Sequence, residues 1–485
     1  MSTKDMSKCQ MLVQERKVRC KLEKIPKSYE DVHFEAGYAT GEGINAISFE
    51  LLQHETLTFK GKTILIYLNF HPKKDDAVNM IWGQLCLFAS SVSSKRMITN
   101  HESSTQPIPL QNSGFETRPT NVTINTTSQF VLLNNKINVI PGWAFNGTVW
   151  YVTAGGNISL PGNGHGVQLG PNGMINQTFK SDGSYDYVLT FTLAPSSIEC
   201  ANNFTAVNVS GPSSSKVFNF KESLEIEMWQ TYAYSIWSAE IRHGVMGIQI
   251  QSVASSSACW PIVDTILVNG IETLRMYEAM GFVNSGFEVG PTFIDNSSQG
   301  ILLEPGSDED PFNPYQSAQS PLQEWTILGM VKYIDSKHYA VPRGRAAIEL
   351  VSGSPSGIVY NTQFLKQGKV IIDFFMGDAN DSCVGDFMVF LQVKNMIWNF
   401  TMRSIGIGSS EKHSVTFNAK FSNNEWIPIS FYSFNETRTS NHQVLCGPMI
   451  DSPTIQFSSG LRSKKLHHIW LVFSLVFVAV FIIFI

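Results

Sequence analysis

The pentapeptide Asn-Ser-Gly-Phe-Glu occurs twice in this chain, at residues 112–116 and again at 284–288, and the residues after each copy run in parallel. Pro141-Gly142-Trp143 and Val149-Trp150-Tyr151-Val152 follow the first copy; Glu324-Trp325 and Val331-Lys332-Tyr333-Ile334 follow the second. Pro161 stands six residues before Val167, as Pro342 stands six before Ile348, and Phe191 lies nine before Cys200, as Phe374 lies nine before Cys383. Each copy closes on Cys-x-Pro-x-x-Asp, through Cys259, Pro261 and Asp264 and then Cys446, Pro448 and Asp451. A period of about 170 residues is one domain length and far too long for a solenoid repeat. The chain is therefore expected to carry one domain twice, over residues 108–272 and 281–457.

Short β-branched and aromatic runs dominate both copies, at 129–133, 147–152, 187–193, 247–253, 369–375, 387–393 and 427–431, with Gly, Pro, Asn and Ser clusters between them. Only 221–229 and 271–280 could be read as helix. This pattern predicts an all-β protein of two tandem jelly-roll β-sandwich domains, joined by a short connector near 272–283.

Charge and cysteine usage divide the chain into unlike parts. The net charge of −5 is the balance of a slightly basic N-terminal part, an acidic repeat region and a basic tail. All eleven Asn-x-Ser/Thr sequons fall in the repeats: Asn121, Asn125, Asn146, Asn157, Asn176, Asn203, Asn208, Asn296, Asn380, Asn399 and Asn435. That density points to a secreted glycoprotein. Each repeat holds two cysteines, Cys200 and Cys259 in one and Cys383 and Cys446 in the other, and their matched placement predicts one disulfide per domain. At the C-terminus, Ser458-Ser459-Gly460, a polar spacer over 461–468 and an apolar run over 469–485 have the three parts of a glycolipid-anchor signal, with Ser458 as the attachment residue. A tail-anchored helix is the competing reading of the same run. Residues 1–105 form an N-terminal extension of undetermined standing with no interpretable motif. Its only signal-like stretch is internal, at 81–89, and is weakened by Gly83 and Gln84.

Five stretches together resemble a known family. They are the repeated Asn-Ser-Gly-Phe-Glu, the run from Trp325 through Tyr333 to Ile334, Val341-Pro342-Arg343-Gly344-Arg345, Gly377-Asp378-Ala379-Asn380-Asp381-Ser382-Cys383, and Cys446-Gly447-Pro448-Met449-Ile450-Asp451. They are similar to the plant domain-of-unknown-function 642 family. The resemblance implies tandem galactose-binding-like sandwiches secreted to the cell wall, associated with wall polysaccharide and with pectin methylesterase. The chain departs from the family's Cys-Gly-Pro-x-Ile-Asp-Asp pattern: Trp260 replaces the Gly, and Thr265 and Ser452 replace the second Asp.

Candidate sites follow from the chemistry that a sugar ligand needs. Sandwiches bind sugars by stacking an aromatic ring on a pyranose and meeting its hydroxyls with amides and carboxylates. The repeated aromatics are Trp143 and Tyr151, and Trp325 and Tyr333; a place in the core is the alternative for each. Glu116 with Asp264, and Glu288 with Asp451, are hard oxygen donors at the two ends of each domain, able to share a structural calcium or to serve as turn and strand-end caps. Asp335, Arg343 and Arg345 fall around one expected hairpin whose tip is basic, whereas the matching segment of the first repeat holds Asn157 and His165 and no Arg. The acidic repeat region gives no expectation of a nucleic-acid partner.

Catalysis is not expected. Gly353-Ser354-Pro355-Ser356-Gly357 has Pro where a nucleophile elbow needs Ser. Gly162-Asn163-Gly164-His165-Gly166 lacks the spacing of a dinucleotide loop. The reading is a non-catalytic wall polysaccharide-binding glycoprotein. A regulatory partner of a pectin methylesterase that touches no glycan is the alternative, and a glycan hydrolase the distant one.

Overall fold

The computed structural model describes the strands within residues 9–69 by their backbone. It describes residues 105–458 more fully, apart from 123–127, 184, 202–204, 213, 225–226, 237–243, 254–257, 273–280, 296, 306–319, 352–354, 365–366 and 423–424. Two units separate, Met1–His101 and Glu102–Ile485. In the first, strands Cys9–Gln14, Lys17–Leu22, His33–Thr40, Gly43–Thr56 and Leu65–Asn69 make one sheet in which the first strand lies between the second and the third.

The two repeats build matching pairs of sheets. In the first repeat one sheet runs in the order Phe130–Leu132, Val149–Thr153, His165–Leu169, Ile262–Glu272, Tyr185–Ala194, Gln230–Ser235. In the second the same order of roles is taken by Ile301–Leu303, Val331–Asp335, Ala346–Leu350, Met449–Ser458, Gly368–Asp378 and Ser409–Ala419. The companion sheets are Ala144–Asn146, Met174–Ser181, Gly244–Ser252, Ala206–Ser210, Ser215–Asn219 and, correspondingly, Trp325–Leu328, Ser356–Gln363, Trp426–Ser433, Cys383–Val393, Met396–Ile405. Each pair encloses one core: Val149, Val167 and Leu189 meet Ile175, Val207 and Ile248 in the first, while Val331, Ile348 and Phe374 meet Ile358, Phe387 and Phe431 in the second. The architecture is thus all-β, two sandwiches in tandem. Strand residues alternate between core and solvent as a half-buried sheet requires: Phe387, Val389, Leu391 and Val393 are fully buried, and Phe390 and Gln392 between them face outward.

The two sandwiches do more than touch. Gln230–Ser235, the last strand of the first main sheet, pairs in parallel with Ile301–Leu303, the first strand of the second, through Thr231, Tyr232 and Ala233 against Ile301, Leu302 and Leu303. The two main sheets are therefore one continuous sheet. The cores interlock at the join: Leu302, Val351 and Leu445 pack into the first repeat's core, and Val188, Ala233 and Ile271 into the second's. Lys332 is buried there, its Nζ donating to the Leu224 carbonyl at 2.7 Å, and Asn269 Nδ2 donates to the Gly290 carbonyl at 3.1 Å.

Both expected disulfides are present, Cys200–Cys259 with Cα atoms 5.3 Å apart and Cys383–Cys446 with 5.9 Å, within the range a bridge tolerates. Neither segment read as a possible helix shows α-helix among its described residues. Glu222–Leu224 is a single 3₁₀ turn, and Ile271 and Glu272 end a strand, with 273–280 outside the described residues. Among the described residues no helix is long and apolar enough to cross a membrane. The apolar run at 469–485 lies outside them, as do Asn125, Asn203 and Asn296. The proposed attachment residue, Ser458, ends the strand Met449–Ser458.

Candidate functional site

The repeated pentapeptide folds the same way twice, and the fold gives each residue its task. Asn112 and Asn284 take left-handed backbone, φ 53° and 50°, which Asn tolerates better than most residues. Each side chain brackets the residue after the Glu. Asn112 Nδ2 donates to the Thr117 carbonyl and Oδ1 accepts from the Thr117 N–H, both at 2.9 Å; Asn284 does the same with Val289, at 2.7 and 3.0 Å. The turn drives Phe115 and Phe287 into the core, both fully buried, against Trp143 and Trp325 at ring separations of 5.5 and 5.4 Å. The carbonyls of these two Phe residues accept hydrogen bonds from Tyr151 Oη at 2.9 Å and Tyr333 Oη at 2.7 Å.

These contacts correct the aromatic part of the expected site. Trp143, Tyr151, Trp325 and Tyr333 are all buried, and their polar atoms are spent on backbone: Trp143 Nε1 on the Asn112 carbonyl at 3.2 Å, Trp325 Nε1 on the Val283 carbonyl at 3.0 Å. Their ring faces are packed on protein, so a sugar cannot stack there. Burial, assisted by the charge of Glu116, pushes the Tyr151 phenol up to about 12, and burial likewise raises Tyr333. Asp335 is also withdrawn from ligand contact. It is buried and caps the turn that follows, Oδ1 accepting from the N–H groups of Lys337 at 3.1 Å and His338 at 2.9 Å.

The four carboxylates are each held by donors of the protein itself. Glu116 accepts from the His165 N–H at 2.9 Å and lies 2.8 Å from His165 Nδ1. Glu288 accepts from the Arg345 N–H at 2.6 Å and from Arg345 Nε at 3.0 Å. The loop crosses so close to Glu288 that a Cβ on Gly344, at φ +70°, would sit 1.9 Å from Oε1. Asp451 Oδ2 accepts from the Arg343 N–H at 2.8 Å and Oδ1 from Ser452 Oγ at 3.1 Å. Burial raises its carboxyl to about 6, and the nearby Glu288 adds to the rise. Burial likewise lifts Asp264 well above the usual carboxylate range, with Glu116 contributing.

This donor set fits calcium poorly in the second repeat. Both oxygens of Glu288 and both of Asp451 already accept from N–H or O–H donors, and the Arg345 guanidinium stands where a cation would balance the charge. The ion needs six to eight oxygen ligands. In the first repeat Glu116 is likewise taken up by His165. Glu116 and Glu288 act here as clamps that tie the pentapeptide to the hairpin, and Asp451 ties the closing strand to the same hairpin.

What remains outward is the hairpin tip of the second repeat. Val331–Asp335 and Ala346–Leu350 pair antiparallel, and Ser336, Lys337, His338, Arg343, Gly344 and Arg345 are exposed beyond them. The Arg345 side chain is 84 % exposed, its ion pair to Glu288 using one of five guanidinium donors; Arg343 lies over the Phe375 ring at 4.7 Å. The first repeat's counterpart exposes Gly155, Gly156, Asn157, Gly162 and Asn163, with no cation.

The family profile described as "Protein of unknown function (DUF642)" matches residues 108–269 and 303–456. The chain belongs to the DUF642 family. Its relatives include the Arabidopsis thaliana protein DUF642 L-galactono-1,4-lactone-responsive gene 2, 30% identical over 350 residues, 70% of this chain and 89% of the relative. Another is the Arabidopsis thaliana protein TEEBE, 28% identical over 66% of this chain and 84% of the relative. Among solved structures, a tandem CBM22 domain from Paenibacillus barcinonensis is 8% identical and aligns over 74% of this chain and all of that one, at a TM-score of 0.21. The extracellular domain of ANXUR1 from Arabidopsis thaliana is 9% identical over 69% of this chain and 95% of its own, at 0.26. At such scores neither likeness bears on what a DUF642 protein binds. Thr265 and Ser452 each follow the buried Asp on a β-bulge, at φ 46° and 47°.

Proposed function

We propose that this DUF642 chain is a non-catalytic glycoprotein of the plant cell wall that binds an acidic wall polysaccharide of the pectin type through the hairpin tip of its second repeat. The observation that carries this reading is the exposed cluster of Lys337, His338, Arg343 and Arg345 on a buried frame, where the first repeat holds neutral residues and a sequon. Guanidinium groups match carboxylates in charge and shape. The two disulfides suit an oxidising compartment. Retention at the outer face of the plasma membrane through a glycolipid on Ser458 belongs to the same proposal, as does a first repeat that serves as support.

The pectin methylesterase reading makes the tip a protein contact, and one experiment separates the two. The full chain and an Arg343→Ala/Arg345→Ala variant are titrated with polygalacturonate and with a purified pectin methylesterase at low and moderate salt. The variant should lose about tenfold or more in affinity for the polyanion, from roughly 1–3 kcal/mol per charged hydrogen bond. It should keep its melting temperature, because exposed ion pairs such as Arg345–Glu288 contribute little. Equal affinity of the variant would remove the hairpin as the site. Enzyme binding with no polysaccharide binding by the native chain would replace the ligand.

A further inference from the structure

The outer face of the second repeat's companion sheet carries an aromatic cluster that the hairpin site does not use. Phe390 and Tyr432 stack with ring centroids 5.4 Å apart and nearly parallel, and Phe434 meets both at 5.3 and 5.1 Å. Phe434 is half exposed. The sheet register sets them in a row: Tyr432 pairs with Phe390 on one side, and on the other side Phe390 pairs with Asn399 of the neighbouring strand. Asn399 begins the sequon Asn-Phe-Thr, and both Asn399 and Thr401 are exposed on the same face as Phe390, since residues two apart on a strand share a face. Their strand, Met396–Ile405, pairs with Cys383–Val393 alone among the described residues and forms the sheet's edge. Directly opposed side chains have Cβ atoms about 5 Å apart, the reach of one sugar ring beyond an asparagine amide. Other sequons are placed differently. Asn435 donates Nδ2 to the Asp386 carbonyl and its Thr437 is buried, and Asn208 accepts from Ser215 Oγ among polar neighbours.

We propose that the Phe390–Tyr432 surface is the seat of the chain's own N-linked glycan on Asn399, whose first sugar lies with its C–H face on the Phe390 ring. The covalent step is transfer from a polyprenyl-diphosphate oligosaccharide: the sugar C1 bonds to Asn399 Nδ2, its bond to the diphosphate oxygen breaks, and the amide loses one proton. The sugar then covers apolar surface that the fold leaves open, by the stacking that aromatic rings offer pyranoses. The inference rests on the reading of the chain as a secreted glycoprotein and is independent of the hairpin site.

The test uses the full chain expressed in plant cells. Glycopeptide mapping should find Asn399 occupied. Asn399→Gln and Thr401→Ala, which abolish the sequon in different ways, should each lower the melting temperature by about 2–4 °C, and by about half that or less in a Phe390→Leu background. A bare Asn399 beside glycans at sequons such as Asn157 overturns this inference alone, and a chain bare at every sequon overturns the glycoprotein reading as well. Equal shifts in the two backgrounds overturn the contact. Binding of a neutral wall oligosaccharide to the glycosylated protein that is lost in Phe390→Leu overturns it too, by giving the surface an external ligand.

Discussion

Thr265 holds φ +46° on a bulge where Thr190 and Thr192 lose register with the closing strand, a backbone state that costs a β-branched residue about 1–2 kcal/mol. The strain is kept because the bulge lets the Thr265 N–H donate to Asp264 Oδ1 at 2.6 Å and the Ile266 N–H donate to the Ser113 carbonyl at 2.8 Å. Thr265→Asn, which suits left-handed backbone and keeps a polar partner for Asp264, should raise stability by about 1 kcal/mol in denaturant unfolding; an unchanged midpoint would show that the bulge relaxes at no cost. The position was legible in sequence as a departure from the family pattern, but the bulge was not, since no residue in Asp264-Thr265-Ile266 marks one. The same limit applies to Tyr333. It lies in Val331-Lys332-Tyr333-Ile334-Asp335, where the alternation breaks at Ile334 and polar Lys332 and Asp335 are buried with the rest, so polarity does not tell inward from outward. Arg343 and Arg345 could be read from sequence because cations on a turn have nowhere to go but out.

At the scale of elements, the strands expected at 369–375, 387–393 and 427–431 appear as Gly368–Asp378, Cys383–Val393 and Trp426–Ser433. Their centres were visible as apolar runs. Their ends were not, because pairing with long partners extends them through Asp378 and Asp386. The disulfides were legible for a different reason: matched positions in two copies of one fold must meet matched neighbours. Each ties a segment just after a main-sheet strand, at Cys200 or Cys383, to the residues that lead into the closing strand. Replacing Cys383 and Cys446 together by Ser should cost roughly 4 kcal/mol for a loop of this length, measured by urea unfolding against the native chain under non-reducing conditions. A loss below about 1 kcal/mol would mean that the denatured chain stays compact without the bridge.

For the whole molecule, buried carboxylates set how stability follows pH. Burial raises Glu324 to about 7, with Asp186 of the other repeat adding to the rise, and raises Asp451 to about 6; Asp264 and Asp381 move in the same direction. A carboxyl whose folded value lies above its unfolded one holds its proton longer in the native state, so stability is full below the unfolded value and falls as pH rises through the folded one. His413, lowered by burial, opposes this within the same window, and Asp373, held low by Lys412, opposes it at lower pH. The melting temperature should therefore fall as pH rises from about 5 to about 7.5, and Glu324→Gln should flatten the slope; a melting temperature that climbs over that window would refute the assignment. The join that brings Glu324 near Asp186 was hidden in the sequence. Its bridging strand is three residues, Ile301–Leu303, lying between loops and pairing with a segment some seventy positions earlier, a separation that local pattern does not report.

That bridging strand also decides how the two repeats are joined. One sheet's last edge meets the next sheet's first edge, so the joint is head to tail, an open translation with unlike ends and no closing symmetry. Among the described residues the outer counterparts are Phe130–Leu132 at one end and Ser409–Ala419 at the other. A third unit would have to add where Gln230–Ser235 received the second. The terminal strand that stands there instead is nearly twice as long and presents Glu411 and Lys412 to solvent, the charged character that keeps an edge from recruiting another strand. The pair of repeats is in this sense an open, polymer-like joint whose described outer edge carries charge.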